Sequence, residues 1–458
     1  MNTTTLKRPS PTRSPFPARA GHPLCTELLH SFAPWAGVAV LFTLMVAMGS
    51  KSAQWQGSWG ETQSELHILS ALLGGPLAAA AGCWQGGRER RRHTAELRAT
   101  AARGPLAQFL VASLPVAAWV SAGYVSTAVG ALLATWPYAS AGRPVLSALP
   151  ADAAFLVAFT LVGHVVGRLV AWRPAPPVLA GCAYVALAVP TYQTSGVRHL
   201  SPVAAESMSL SLPVWWQPLA MTAWTGGLAV AAVLAYAARR RYTALLPLAA
   251  ATAAAMLVAQ TGDAMWRDDP LFERQVCDTS LRPNICVNAM YRGLLPKVSA
   301  ALSDVTGRLE GVENLPVRFE DLPGEPKPDE AQLPILTPLG WYVVRGELIN
   351  PQQYAWEAAA ALTGISVQCE ARGNDERAHR VDNTVTDWLS PNPVREDMDE
   401  HSERQARKGG DEKELARIKA DKKALAHLTS MSDEGRRDWL TGYFATVDSC
   451  DPSKVPTL

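Results

Sequence analysis

Residues 86–100 read Gly86-Gly87-Arg88-Glu89-Arg90-Arg91-Arg92-His93-Thr94-Ala95-Glu96-Leu97-Arg98-Ala99-Thr100. Clustered cations followed by Thr and Ala-Glu-Leu suit a short helix lying along a membrane face. Thr94 can cap a following turn, although Leu97 stands where a capping box would place Glu or Gln. Glu96 and Leu97 would then face a cytoplasmic partner, while the charge alone fits a plain positive-inside anchor equally well. Four of the seven cysteines, Cys277, Cys286, Cys369 and Cys450, lie in the polar last part of the chain. An even number in an extracytoplasmic segment suggests two disulfides. Of the three pairings, the short separation favours Cys277–Cys286, leaving Cys369–Cys450, which would contribute about 4 kcal/mol by chain entropy. Four reduced thiols are the alternative. Cys83 and Cys182 read as small apolar membrane residues.

Other chemistry is sparse. His164 and Arg168 stand one helical turn apart in an apolar run. Ionisable residues inside membranes are often functional, but Arg168 is near the end of its run and can snorkel to the headgroups, and His164 reads as packed. There is no His-Glu-x-x-His metal site, and His379, His401 and His427 are scattered in polar segments. Nothing anchors a Ser-His-Asp set. No Gly-x-x-x-x-Gly-Lys-Ser/Thr loop occurs, so ATP hydrolysis is not expected of this chain. The expectation is no catalytic residues, no metal and no cofactor, with an undetected hydrolase site in the polar part as a lesser reading.

The elements that position these residues divide the chain in two. Lys and Arg total 42 against 41 Asp and Glu, which gives no basic excess pointing to nucleic acid. That average hides a split: Ala, Leu and Val dominate up to about residue 260, and interspersed acids and bases follow. A bilayer crossing needs about 20 mostly apolar residues. Candidate spans are 33–50, 66–85, 106–135, 152–172, 177–192, 217–237 and 243–260, the third long enough to tilt or to bend at Pro115. The fold class expected is an α-helical integral membrane protein of about seven spans with a C-terminal, mainly helical α+β extracytoplasmic domain. The divisions are a disordered basic tail (1–22), a transmembrane part (23–260) and the outer domain (261–458). The basic, proline-rich start is expected to be cytoplasmic and not a cleavable signal.

Positive charge sets the expected orientation. Arg88, Arg90, Arg91, Arg92, Arg98 and Arg103 follow span two, Arg168 and Arg173 flank the next loop on that side, and Arg239, Arg240 and Arg241 the last. The alternate loops carry Lys51, Arg143 and Arg198. The N-terminus is therefore expected inside the cell membrane and the C-terminal domain outside. Trp35, Trp55, Trp84, Trp136, Trp172, Trp215, Trp216 and Trp266 fall near span ends, as interfacial indoles do.

The loop after span two resembles the cytoplasmic motif of ABC-2 type transporter permeases, a charged Arg/Glu run before Gly-Thr-x-Glu-x-Leu. Glu89, Arg90, Thr94, Glu96 and Leu97 match; His93 replaces the Gly, and Ala102-Arg103 the following Pro. The resemblance implies that Glu89, Arg90, Arg91, Arg92, His93, Thr94, Glu96 and Leu97 contact a separate ABC ATPase subunit. It also implies a homodimer or a paired permease among membrane lipids. Residues 26–32 suit the elbow helix such permeases carry before span one. The loop with Val214-Trp215-Trp216 suits their re-entrant segment between spans five and six. The function expected is the permease subunit of an ABC-2 type exporter. The alternative is a non-transporting, membrane-anchored binding or sensing protein.

In the outer domain, Leu294, Leu295, Val298, Leu302 and Val305 are spaced as one buried helix face within 290–309. Extended segments are expected at 317–319 and 341–344, with an exposed Pro- and acid-rich loop over 322–333. Helices follow from 352, interrupted at Ser390-Pro391-Asn392-Pro393. Charges alternate over 395–428, as on a solvated helix. A last helix begins near Ser432 and delivers Cys450.

Overall fold

A computed structural model describes residues 27–29, 31–91, 104–204, 208, 210–336, 342–364 and 370–458. Among the described residues, seven helices are long and apolar enough to cross a membrane. They are built on α1 (Ala33–Ser50), α2 (Trp59–Gly86), α3 (Pro105–Thr135), α4 (Ala148–Leu169), α5 (Ala175–Ala188), α6 (Gln217–Ala237) and α7 (Leu245–Thr261). Short 3-10 turns extend α5 to Tyr192 and flank α7 from Arg241 to Met265. The long α3 runs through Pro115 without a break in its helical assignment.

The second span begins two turns earlier than its hydropathy suggests. Ser58 caps α2 by accepting from the Glu61 amide, and the polar first turns are absorbed by partners inside the bundle. Thr62 bonds Thr135 at 2.7 Å, Gln63 exchanges bonds with the Val145 backbone, and Ser64 Oγ accepts from the Met208 amide. These three side chains, which would be costly in hydrocarbon if left unpaired, thus find partners. Trp55 is also withdrawn from the interface: it is 4% exposed, its indole donating to the Met48 carbonyl at 2.8 Å. Trp35, Trp136, Trp172 and Trp215 stay exposed near helix ends, as expected.

Apolar helices gain little hydrophobic drive from associating in lipid, so close fit and small residues decide which pack. Gly82 and Gly86 on α2 face Gly163 and Gly167 on α4. A Cβ on Gly82 would lie 2.0 Å from the Thr160 carbonyl oxygen, and one on Gly163 2.0 Å from that of Ala79. The two Gly-x-x-x-Gly steps therefore interlock backbone against backbone.

The C-terminal part joins the bundle through a short ribbon. Strand β1 (Ser211–Pro213), in the loop between α5 and α6, pairs antiparallel with β2 (Trp266–Asp268), just after α7. Loops at this end of the bundle also touch the domain: Arg292 donates to the Ser140 carbonyl at 3.0 Å and Arg345 to Gln56 at 2.7 Å. Arg90, at the other end of α2, donates to the carbonyl of Arg168 at the end of α4.

The domain is centred on a four-stranded sheet of β3 (Gln275–Asp278), β4 (Asn284–Asn288), β5 (Arg318–Glu320) and β6 (Glu330–Gln332), in that order. The β3–β4 pair is antiparallel; β4–β5 and β5–β6 are parallel. A hairpin, β7 (Val343–Val344) with β8 (Glu347–Leu348), follows. The stretch expected as an exposed loop over 322–333 thus ends in a strand. Ala331 and Leu333 are buried, and Glu330 is held by Arg318. The expected helix over 290–309 divides into a 3-10 turn, α8 (Leu295–Ala301) and α9 (Ser303–Arg308), broken where Leu302 leaves helical geometry. Its buried face is nevertheless the one anticipated, with Leu294, Val298, Leu302 and Val305 in the core.

Helices α10 (Pro351–Ala361), α11 (Glu376–Leu389), α12 (Arg395–Gly409), α13 (Glu412–Ser430) and α14 (Asp433–Phe444) complete the domain. The charged stretch divides at Gly410, whose φ of 69° ends α12, and Asp411 caps α13. Ser432 caps α14, which buries Leu440, Tyr443 and Phe444.

Candidate functional site

Three spans bring polar side chains together near the domain-facing end of the bundle. His67 on α2 bonds through Nδ1 to Asp152 Oδ1 on α4 at 2.6 Å, and through Nε2 to the Pro202 carbonyl at 2.7 Å. Tyr124 on α3 donates to Asp152 Oδ2 at 2.8 Å. A carbonyl only accepts, so Nε2 carries a hydrogen. The contact between Nδ1 and Oδ1 then holds one further proton, and the His67–Asp152 pair is neutral as a unit on either side of that proton. This is an acid–base pair between two of the candidate spans, with both carboxylate oxygens engaged.

The local backbone is shaped to present it. One turn beyond His67, Ser70–Gly74 is wound as a π-helix, followed by Gly75-Pro76. Such bulges re-aim side chains and cluster at functional positions. Opposite lies the segment 193–204 between α5 and α6. Its fastenings are Ser201 Oγ donating to the Leu187 carbonyl at 2.6 Å and Trp224 donating to the Leu200 carbonyl at 3.0 Å. Between them is a cleft of about 40 Å³, room for a few waters. Gln217, Thr225, Ser201 and the buried His199 add polar groups to its lining. His199 Nε2 accepts from Arg198 at 3.1 Å and lies 3.3 Å from Asp263.

At the opposite end, the start of the predicted coupling loop is described. Arg88 forms a 2.7 Å ion pair with Glu27, ahead of α1. Arg90 donates to the Arg168 carbonyl at 2.8 Å, and Arg91 lies 4.1 Å over the Trp84 ring. Glu89 belongs to the helical turn Arg88–Arg91. Arg92, His93, Thr94, Glu96 and Leu97 lie outside the described residues, as do residues 1–22. His164 is fully buried, accepting from Arg168 at 2.9 Å and set edge-on to Phe109.

In the C-terminal domain, Cys277 and Cys286 face each other across β3 and β4 and form the expected disulfide. Cys450 is also disulfide-bonded; Cys369, its expected partner, lies outside the described residues. Arg372, 1% exposed, makes a two-pronged bond with Asp382, which also accepts from Tyr443 at 2.6 Å. Asp321 accepts from the Asn288 amide at 3.1 Å, and burial pushes its carboxyl up to about 7. Neighbouring Glu320 is raised for the same reason, and the buried Tyr291 phenol is pushed well up by burial and then by Glu61 and Asp321. Among the described residues, no three His, Cys, Asp or Glu side chains are grouped to hold a metal.

Sequence reasoning missed His67 and Asp152 although a signal existed: each is an ionisable residue in an apolar run. Both fell at the edges of the spans as drawn, 66–85 and 152–172. No family model, curated protein or solved structure matches the chain.

Proposed function

We propose that this chain is the membrane-spanning permease subunit of an ABC-2 type exporter, driven by a separate ATPase docked at residues 86–103. The observation that carries this reading is the order Glu89-Arg90, Thr94, Glu96-Leu97 between the second and third spans. The Arg88–Glu27 ion pair supports it, tying the segment ahead of α1 to the start of that loop. Force applied there would reach α1 and α2 together. Support also comes from the loop between α5 and α6, whose Pro202 carbonyl reaches His67 inside α2, as a re-entrant segment would. In this reading the N-terminus is cytoplasmic, the domain is extracytoplasmic, and a second membrane subunit, identical or paralogous, completes the transporter.

The test is a pull-down of the full chain from its own host in mild detergent, with Glu96→Arg beside the wild type. An ATPase captured by the wild type and lost with the variant supports the reading. No ATPase with either protein overturns it and leaves a membrane-anchored binding or sensing protein.

A further inference from the structure

An apolar groove of about 540 Å³ runs along the side of the bundle between α4, α5 and α6. Small residues such as Ala183, Ala186 and Ala232 leave it open, and Phe159, Trp224 and Leu228 wall it. Towards the domain it meets the polar cleft, for Phe155, Ser201, Pro202 and Thr225 line both. The two adjoining cavities together form a depression with a hydrocarbon-like length and a hydrogen-bonding end that holds His67 and Asp152, divided only by these four shared side chains.

We propose that this depression binds a single lipid amphipath, its hydrocarbon tail in the groove and an uncharged, hydrogen-bonding head in the cleft. The tail follows from location, because the groove lies along spans that face acyl chains. A partner's transmembrane helix fits less well: it would cross the full bilayer and would not stop at a polar cleft. The head follows from charge. Among the described residues, no Lys or Arg lines either cavity. A phosphate would be desolvated beside Asp152, while the nearby Arg198 lies outside the lining and is already paired with Asp263. Hydroxyl or amide groups, by contrast, can exchange hydrogen bonds with Gln217, Thr225, Ser201 and the His67–Asp152 pair. The small cleft admits only the end of such a head, as in a diacylglycerol-like molecule. As a substrate site this rests on the exporter reading; as a binding site it does not.

The test uses the full chain in phosphatidylcholine nanodiscs carrying a photoactivatable diacylglycerol or the matching photoactivatable phosphatidylcholine. Labelled peptides are mapped in the wild type, Ala186→Trp, Ala232→Phe and the distant Leu133→Trp. The expected result is diacylglycerol label concentrated on α4, α5 and α6, several-fold above the phosphatidylcholine label. Either groove-filling variant should reduce it several-fold and Leu133→Trp should not, elution as a single species confirming that each variant is folded. Even labelling around the bundle, equal labelling by the two probes, or no effect of the folded groove variants overturns the proposal. Cross-links joining two copies at the groove also overturn it, in favour of a dimer interface. Because the readout needs no ATPase, groove labelling without ATPase capture would reject the exporter reading alone.

Discussion

His67 and Asp152 meet at 2.6 Å although 85 residues separate them in the chain. The bond joins α2 to α4 on the same pair of helices whose glycines interlock further along. Close packing and a buried polar pair therefore fix one interface at two depths.

Removing one partner should cost more than removing both. Asp152→Ala leaves His67 and Tyr124 facing an apolar gap and is expected to destabilise the bundle by about 3 kcal/mol. Adding His67→Leu should recover part of that loss, giving a non-additive cycle. Unfolding of purified protein in detergent by a graded denaturant measures it; strictly additive losses would refute the coupling.

The glycine contacts make a sharper structural test. Gly163→Ala places a methyl carbon 2.0 Å from the Ala79 carbonyl oxygen, so α2 and α4 must separate, at about 1–3 kcal/mol. Gly181→Ala on α5 meets nothing within 4 Å and should be near neutral. Thermal stability of the two variants in the same detergent decides between close packing and general sensitivity to change.

Sidedness can be read from the β3–β4 disulfide. Replacing Cys277 and Cys286 together by serine should cost about 2–3 kcal/mol in the chain-entropy model. In intact cells, a membrane-impermeant maleimide should label Cys277 and Cys286 only after reduction with an impermeant reductant. No labelling even after reduction, with labelling once the cells are permeabilised, would place the domain on the cytoplasmic side.

Asp321 predicts a pH dependence of the C-terminal domain. Burial raises its folded carboxyl to about 7, above the ordinary aspartate value of 3.8, so the folded state binds more protons between those values. Stability should therefore fall as pH rises from about 4 to about 7 and level off above, by a few kcal/mol at most. Asp321→Asn keeps an acceptor for the Asn288 amide and should flatten that slope. An unchanged profile in the variant would assign the dependence to other groups.

Much of the architecture was legible because bilayer spans announce themselves by length and hydropathy, and helix caps by single residues. Ser432 and its acidic first turn marked α14, and the short spacing of Cys277 and Cys286 marked their pairing. Hydropathy failed where polar residues find partners inside the bundle: Thr62, Gln63 and Ser64 read as loop yet form the first turns of α2. It also hid Asp152, whose partners come from distant parts of the chain. The strand at Glu330–Gln332 was missed because its acids read as solvent-exposed. Parallel pairing with β5 and the Arg318 ion pair hold it in the sheet.

The β1–β2 ribbon makes the C-terminal domain a handle on the bundle. One strand belongs to the loop that supplies Pro202, and the other opens the domain just beyond α7. A pull on the domain is transmitted through three paired residues to the loop that holds the imidazole of His67. Whatever grips the domain thereby acquires leverage over the hydrogen bond that joins His67 on α2 to Asp152 on α4.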